Sequence, residues 1–179
     1  GHFVPNLTMG PDIVAAVDRV SQLPLDVHLM IDNPADFIEP FAHAGADYIS
    51  FHTEAVDDVE AVLSRIERAG CKPAVALNPQ TAVESVSPLI SRAAMILVMS
   101  VHPGFAGQGF VESALAKMRT LADLKRRCSS QCLLEMDGGI KADNASRVTA
   151  AGTEVLVAGS GIFAAGDYPT TISALKGET

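Results

Sequence analysis

Short apolar runs alternate with longer amphipathic ones along the whole chain. The apolar runs are Leu25–Met30, Tyr48–His52, Pro73–Asn78, Met95–Ser100, Cys132–Asp137 and Glu154–Ala158, each about as long as a buried strand. Helical periodicity fills 11–21, 34–44, 56–69, 81–91, 112–128, 142–151 and 168–176. Gly10-Pro11 and Asn33-Pro34 place Pro at a first turn, and Gly45, Gly70 and Gly152 close helices before the next strand. This strand–helix beat predicts a parallel α/β sheet with right-handed crossovers. It runs without a linker, so residues 1–179 read as a single domain.

Two architectures carry such a beat, an open doubly wound sheet and a closed (β/α)8 barrel, the TIM barrel. Alternation inside the strands favours the barrel. In the first run Leu25, Val27 and Leu29 share one face, and Asp26, His28 and Met30 share the other. In Cys132–Asp137, the residues Leu133, Glu135 and Asp137 share a face. Strands of an open doubly wound sheet are more often apolar on both faces. A barrel mouth can carry polar side chains. Six strands are legible where a barrel needs eight, and the chain opens on a loop and helix with no strand of their own. The expectation is a barrel domain, N-terminally incomplete, that lacks roughly its first strand, first helix and second strand.

Composition narrows the partners. Asp and Glu number 21 against 13 Lys and Arg, a formal net charge of -8. Each phosphate of a nucleic acid or anionic membrane needs a cation, so neither is an expected partner. With 48% apolar and 19% charged residues the chain can fill a core, which excludes a disordered tail. The longest purely apolar run, Ala93–Met99, falls far short of the roughly 18 residues that span a bilayer. Cys71, Cys128 and Cys132 form no C-x-x-C pair, which points to a reducing, cytoplasmic setting. No charged leader opens the chain, so no signal peptide is expected. The first residue is Gly1, which suggests a start inside a longer product.

Barrel active sites sit at the C-terminal ends of the strands. Here those ends carry His28 and Met30; His52 and Glu54; Asn78; Met99 and Ser100; Asp137-Gly138-Gly139; and Gly159-Ser160-Gly161. Two glycine-rich turns on successive strands suit a phosphate oxyanion, because bare backbone N–H groups can converge on it. Taken singly, each glycine is more often there only to permit a tight turn. His28 and Asp137 offer imidazole and carboxylate to a divalent metal, although an isolated strand histidine is more often a satisfied core residue. Two donors are too few for a tight site. His52 and Glu54 are the internal candidates for a third. Met30 and Met99 read separately as core filler. Schiff-base chemistry needs a Lys at a strand's C-terminal end. Lys72 lies at the wrong end, Lys117, Lys125 and Lys176 lie in helical patterns, and Lys141 opens a helix.

Four segments occur in series: Gly1-His2-Phe3-Val4-Pro5-Asn6, Leu25-Asp26-Val27-His28-Leu29-Met30, the stretch from Met99 to Gln108, and Asp137-Gly138-Gly139-Ile140. Together they closely resemble the ribulose-phosphate 3-epimerase family over the whole chain. The resemblance implies a (β/α)8-barrel isomerase that interconverts D-ribulose 5-phosphate and D-xylulose 5-phosphate. It implies proton transfer at C3 through an enediolate, with one Asp on each face and one divalent ion (Zn, Fe, Mn or Co) stabilising the oxyanion. Asp137 is then an acid/base and metal ligand, and His28 a metal ligand that also touches substrate. Met30 and Met99 match the methionines that pack on the enediolate. Gly104, Phe105, Ala106 and Gly107 match a mobile loop over the substrate, and Gly138, Gly139, Gly159 and Ser160 match the phosphate cradle. A sugar phosphate and further copies of the chain are the expected partners.

The family also carries a His-x-Asp-x-Met-Asp stretch just ahead of the Gly-His-Phe-Val-Pro-Asn motif. It supplies a second metal-binding His and the opposing catalytic Asp. Because the sequence begins at Gly1, the chain alone is expected to lack both and to be a poor catalyst. Two other readings use the same residues. One is an epimerase of a six-carbon ketose phosphate such as allulose 6-phosphate; the other is a truncated, non-catalytic phosphosugar-binding protein.

Overall fold

The computed structural model describes residues 1–105 and 107–178. Helix α1 (Pro11–Asp18) starts on Pro11, whose missing N–H costs nothing in a first turn. Strand β1 (Asp26–Leu29) follows, then a 3-10 turn (Pro34–Phe37) that runs into α2 (Ile38–His43). Next come β2 (Tyr48–His52), α3 (Val59–Arg68) and β3 (Lys72–Leu77). Asp58 caps α3 by accepting from the Ala61 N–H at 2.9 Å. Strand β4 (Met95–Met99), α4 (Ser113–Cys128), β5 (Leu133–Asp137), α5 (Ala145–Ala150), β6 (Val155–Val157), α6 (Ser160–Phe163) and α7 (Tyr168–Lys176) complete the order. Gly45, Gly70 and Gly152 take positive φ where they end their helices, as their placement predicts.

Every strand pairs in parallel with the next, in the order β1-β2-β3-β4-β5-β6. The register sets two faces. One face carries Val27, Ile49, Phe51, Val75, Ile96 and Leu134, all in the main core. Ile38, Ile66 and Met118 of the helices pack into that core. Each such side chain contributes roughly 1.5–3 kcal/mol on burial. The other face carries His28, Ser50, His52, Ala76, Leu97, Met99, Glu135 and Asp137, and its apolar part is a small separate cluster. Asp26 and Glu135 share a hydrogen bond although β1 and β5 are not neighbours. That contact requires the sheet to curl so that the second face becomes an interior, as the alternation predicts.

Three local expectations change. The helix read over 81–91 is two 3-10 turns, Val83–Ser85 and Ser87–Ser91. Pro88 has no N–H and crowds the preceding turn, so an α-helix cannot run through it. The pattern at 142–151 yields only α5, and α6 was not legible at all. Around α1 the apolar residues Leu7, Met9, Ile13, Val17, Val20 and Leu23 are exposed, and α1 itself buries no residue. No helix among the described residues is long and apolar enough to cross a membrane.

Candidate active site

Asp137 ends β5 on the interior face, level with Met99 of β4. Burial, and next the negative charge of Asp26, push its carboxyl up to about 6. Two residues earlier on the same face, Glu135 is almost fully buried and is pushed up to about 9. Burial is again the largest cause, followed by the charge of Asp26. Glu135 therefore keeps its proton at neutral pH and, through it, donates a hydrogen bond to the Asp26 carboxyl. Asp26 lies open along its edge strand as a residue, yet crowding of its carboxyl raises its pKa while the Glu135 bond opposes the rise.

His28 sits on β1 with its Nδ1 2.9 Å from Ser50 Oγ. Its Nε2 is buried and has no partner among the described residues. Burial, and then the neighbouring His52, hold its pKa down to about 3, so the ring is neutral. The His52 ring lies 4.9 Å away, centroid to centroid, and Phe3 covers it at 4.6 Å. His52 Nδ1 meets Glu54 Oε2 at 3.3 Å, while its Nε2 is also buried without a partner. Glu54 additionally accepts from the Asn78 N–H at 2.8 Å and from the Thr81 hydroxyl. Burial alone would raise Glu54, but these hydrogen bonds outweigh it and bring the carboxyl to about 2.

The donor chemistry of His28 and Asp137 suits a divalent ion, and the buried His28 Nε2 has no protein partner among the described residues to compete for its lone pair. Glu54, one candidate for a third donor, is instead committed to His52, Asn78 and Thr81. Among the described residues no three His, Cys, Asp or Glu side chains come together as a metal site. These residues alone do not complete a coordination shell.

Met99 belongs to the interior cluster with Ala76, Leu97 and Val101, and Met30 packs against it. The two methionines thus meet on the face that carries Asp137. Gly104 has φ 125°, and a side chain there would touch Val4. Gly107 also has positive φ, and Phe105 is exposed. Gln108 Nε2 staples this loop by donating to the His102 carbonyl at 2.6 Å and the Phe105 carbonyl at 2.8 Å. Ala106 lies outside the described residues.

Gly138 has φ 122°, and a Cβ on it would sit 2.5 Å from Val101. Only glycine fits both demands. Gly138, Gly139 and Gly159 direct N–H groups to no acceptor among the described residues. Gly159 precedes α6 and Ser160 opens it, both exposed. The two turns are brought together by Gly161, where a Cβ would lie 2.3 Å from the Ile140 carbonyl oxygen. The sequence places Gly161 in the Gly159-Ser160-Gly161 triplet but gives no local sign of this close backbone approach. Sequence reasoning also missed the Asp26–Glu135 pair, which no local spacing announces.

Comparison with known proteins joins these features. The model of the "Ribulose-phosphate 3 epimerase family" matches residues 1–163. Ribulose-phosphate 3-epimerase of Aquifex aeolicus is 42% identical over 176 residues, covering 98% of this chain and 79% of that protein. The Bacillus subtilis ribulose-phosphate 3-epimerase is 43% identical over 180 residues, covering 99% and 82%. In fold, a solved 3-hexulose-6-phosphate synthase matches with TM-score 0.73 at 18% identity, covering 93% of this chain and 79% of that one. The tryptophan synthase α-subunit of Pyrococcus furiosus matches with TM-score 0.70 at 16% identity, covering 93% and 72%. The interior strand ends with His28 and Asp137, and the paired glycine turns beside them, are therefore those of a chain that belongs to the ribulose-phosphate 3-epimerase family.

Proposed function

We propose that the chain epimerises C3 of D-ribulose 5-phosphate to give D-xylulose 5-phosphate. The observation that carries this reading is the Asp137 carboxyl, held at about 6 on a buried strand end beside the Gly138-Gly139 turn. The C3 hydrogen of the substrate lies next to the C2 ketone, so its removal leaves an electron pair that delocalises onto the C2 oxygen as an enediolate. A carboxylate with a pKa near 6 is deprotonated at neutral pH yet basic enough to take that proton. Return of a proton to the opposite face inverts C3. Asp137 serves one face. The resemblance assigns the other to a second Asp, in a His-x-Asp-x-Met-Asp motif that the 179 residues do not contain.

His28 and Asp137 would contribute two donors to a divalent ion, which when bound supplies Lewis-acid charge to the developing oxyanion. Neutral His28 can also offer Nε2 to a substrate hydroxyl. Met30 and Met99 form an apolar floor that keeps water from the carbanion face. The N–H groups of Gly138, Gly139, Gly159 and Ser160 are suited to the substrate phosphate. The free Cys71, Cys128 and Cys132 agree with a cytoplasmic location. The exposed apolar residues around α1 agree with association between copies.

The test is to incubate the chain with D-ribulose 5-phosphate in D2O, with and without divalent metal, and follow C3 by NMR. Deuterium exchange at C3 is expected from Asp137 alone, with only slow conversion to xylulose 5-phosphate, because inversion needs a second acid/base on the opposite face. No incorporation above the buffer rate would overturn the reading. Exchange with allulose 6-phosphate but not with the pentulose would move the substrate to a hexulose.

A further inference from the structure

We infer that Ser100 is a positioning residue for Asp137, its hydroxyl and amide together fixing the Asp137–Gly138 backbone from which the catalytic carboxyl is aimed. The inference rests on the epimerase reading above. Ser100 directly follows β4 and is completely buried. Its N–H donates to the Asp137 carbonyl at 2.7 Å, continuing the ladder one step past the end of β4. Its Oγ lies 2.9 Å from the same carbonyl and 2.7 Å from the Gly138 carbonyl, so the hydroxyl proton is shared between them. The Ser100 carbonyl in turn accepts from the Val111 N–H at 2.8 Å.

A ladder needs only the amide, so the hydroxyl is the unexplained part. Ser100 is flanked by Met99 and Val101 of the interior apolar cluster, where alanine would bury no polar group. Burying a hydroxyl is unfavourable unless it is hydrogen-bonded, and this one spends its bonds on the two residues nearest the chemistry. Gly138 cannot resist displacement through a side chain, because it has none and its φ is positive. The Ser100 clamp supplies the missing restraint. By also accepting from the Val111 N–H, Ser100 joins Val111 to the same point as the Asp137–Gly138 backbone.

The experiment compares wild type, Ser100→Ala and Ser100→Thr in the C3 exchange and epimerisation assays, with Tm measured for each. Displacement of a reacting group by about 1 Å can cost about 100-fold. Ser100→Ala should therefore lower kcat by about 10- to 100-fold, with KM changed by less than about threefold and Tm nearly kept. Ser100→Thr should restore most of kcat, since its Oγ1 can donate to the same carbonyls. An unchanged kcat in Ser100→Ala overturns the inference. So does a joint fall of kcat, KM quality and Tm in both variants, the behaviour of a residue needed only for folding. A wild type with no C3 exchange at all would instead overturn the epimerase reading. In that case hydrogen exchange of the residue-100 amide decides the clamp: faster in the Ala variant and restored by Thr supports it, and no change overturns it.

Discussion

Glu135 donates a hydrogen bond to Asp26 across the interior of the sheet, between strands that are not neighbours. The pair ties the edge strand β1 back toward β5 and places one negative charge below Asp137. Burial does most to lift the Asp137 carboxyl, and that charge adds to the rise. Structure and reactivity are thus linked through a proton that Glu135 keeps.

Stability should therefore depend on pH through Glu135. An unfolded glutamate loses its proton near 4.5, whereas folded Glu135 keeps it up to about 9. Between those values the folded state binds more protons than the unfolded one, so stability falls as pH rises. Asp137 acts with the same sign between 3.8 and about 6. Above about pH 6 the decline belongs chiefly to Glu135, and Glu135→Gln should flatten it there. Urea midpoints measured in chelator between about pH 6 and about pH 9 check this; parallel curves for the two proteins would contradict it.

Asp137→Asn keeps the shape of the side chain but removes the base. C3 deuterium exchange should fall by about 100- to 10,000-fold. In the wild type the same rate should rise with pH through about 6, where Asp137 deprotonates, and then level off. A pH-independent rate, or an active Asn variant, would show that another group takes the C3 proton.

Metal affinity should follow the same carboxyl. His28 is already neutral above about pH 3, so no proton competes for its Nε2 at physiological pH. Asp137 must lose its proton first, so Mn2+ binding should strengthen as pH rises through about 6 and then become constant. His28→Ala and Asp137→Ala should each weaken binding by at least about tenfold, on the scale of losing one donor group. Titration calorimetry with Mn2+ reads this directly, and full affinity in both variants would place the ligands elsewhere.

Most of the fold was legible because period-2 alternation and glycine stops are local signals. His28 and Asp137 stood out for the same reason: polar residues on one face of otherwise apolar strands. The failures share a different cause. Pro88 split an amphipathic run whose pattern still looked helical, since hydrophobic spacing does not sense a missing N–H. Glu54 looked like a metal donor beside His52, but its carboxylate is taken by Thr81 and the Asn78 amide from beyond the next strand. The Glu135–Asp26 bond and the Ser100 clamp join residues far apart in sequence, and only the curl of the sheet brings them together.

Gly159 and Gly161 separate ligand binding from folding at the turn before α6. A Cβ on Gly159 meets nothing within 4 Å and its φ of -83° is negative, although its ψ of -85° lies just beyond the usual helical region. The protein therefore has no steric need for glycine there, and a bulky replacement would be felt chiefly by whatever binds outside. Gly161 is the opposite case, since a Cβ would drive into the Ile140 carbonyl oxygen, which is backbone and cannot swing away. Gly161→Ala should cost about 1–3 kcal/mol of stability through overpacking. Gly159→Leu should leave the urea midpoint nearly unchanged but raise KM for the sugar phosphate by about tenfold or more, a loss of about 1.4 kcal/mol in binding. The same variant should weaken inorganic phosphate as a competitor to a similar degree. If Gly159→Leu binds both phosphates as well as the wild type does, the phosphate does not sit on this turn, and the cradle must be sought away from Gly138, Gly139, Gly159 and Ser160.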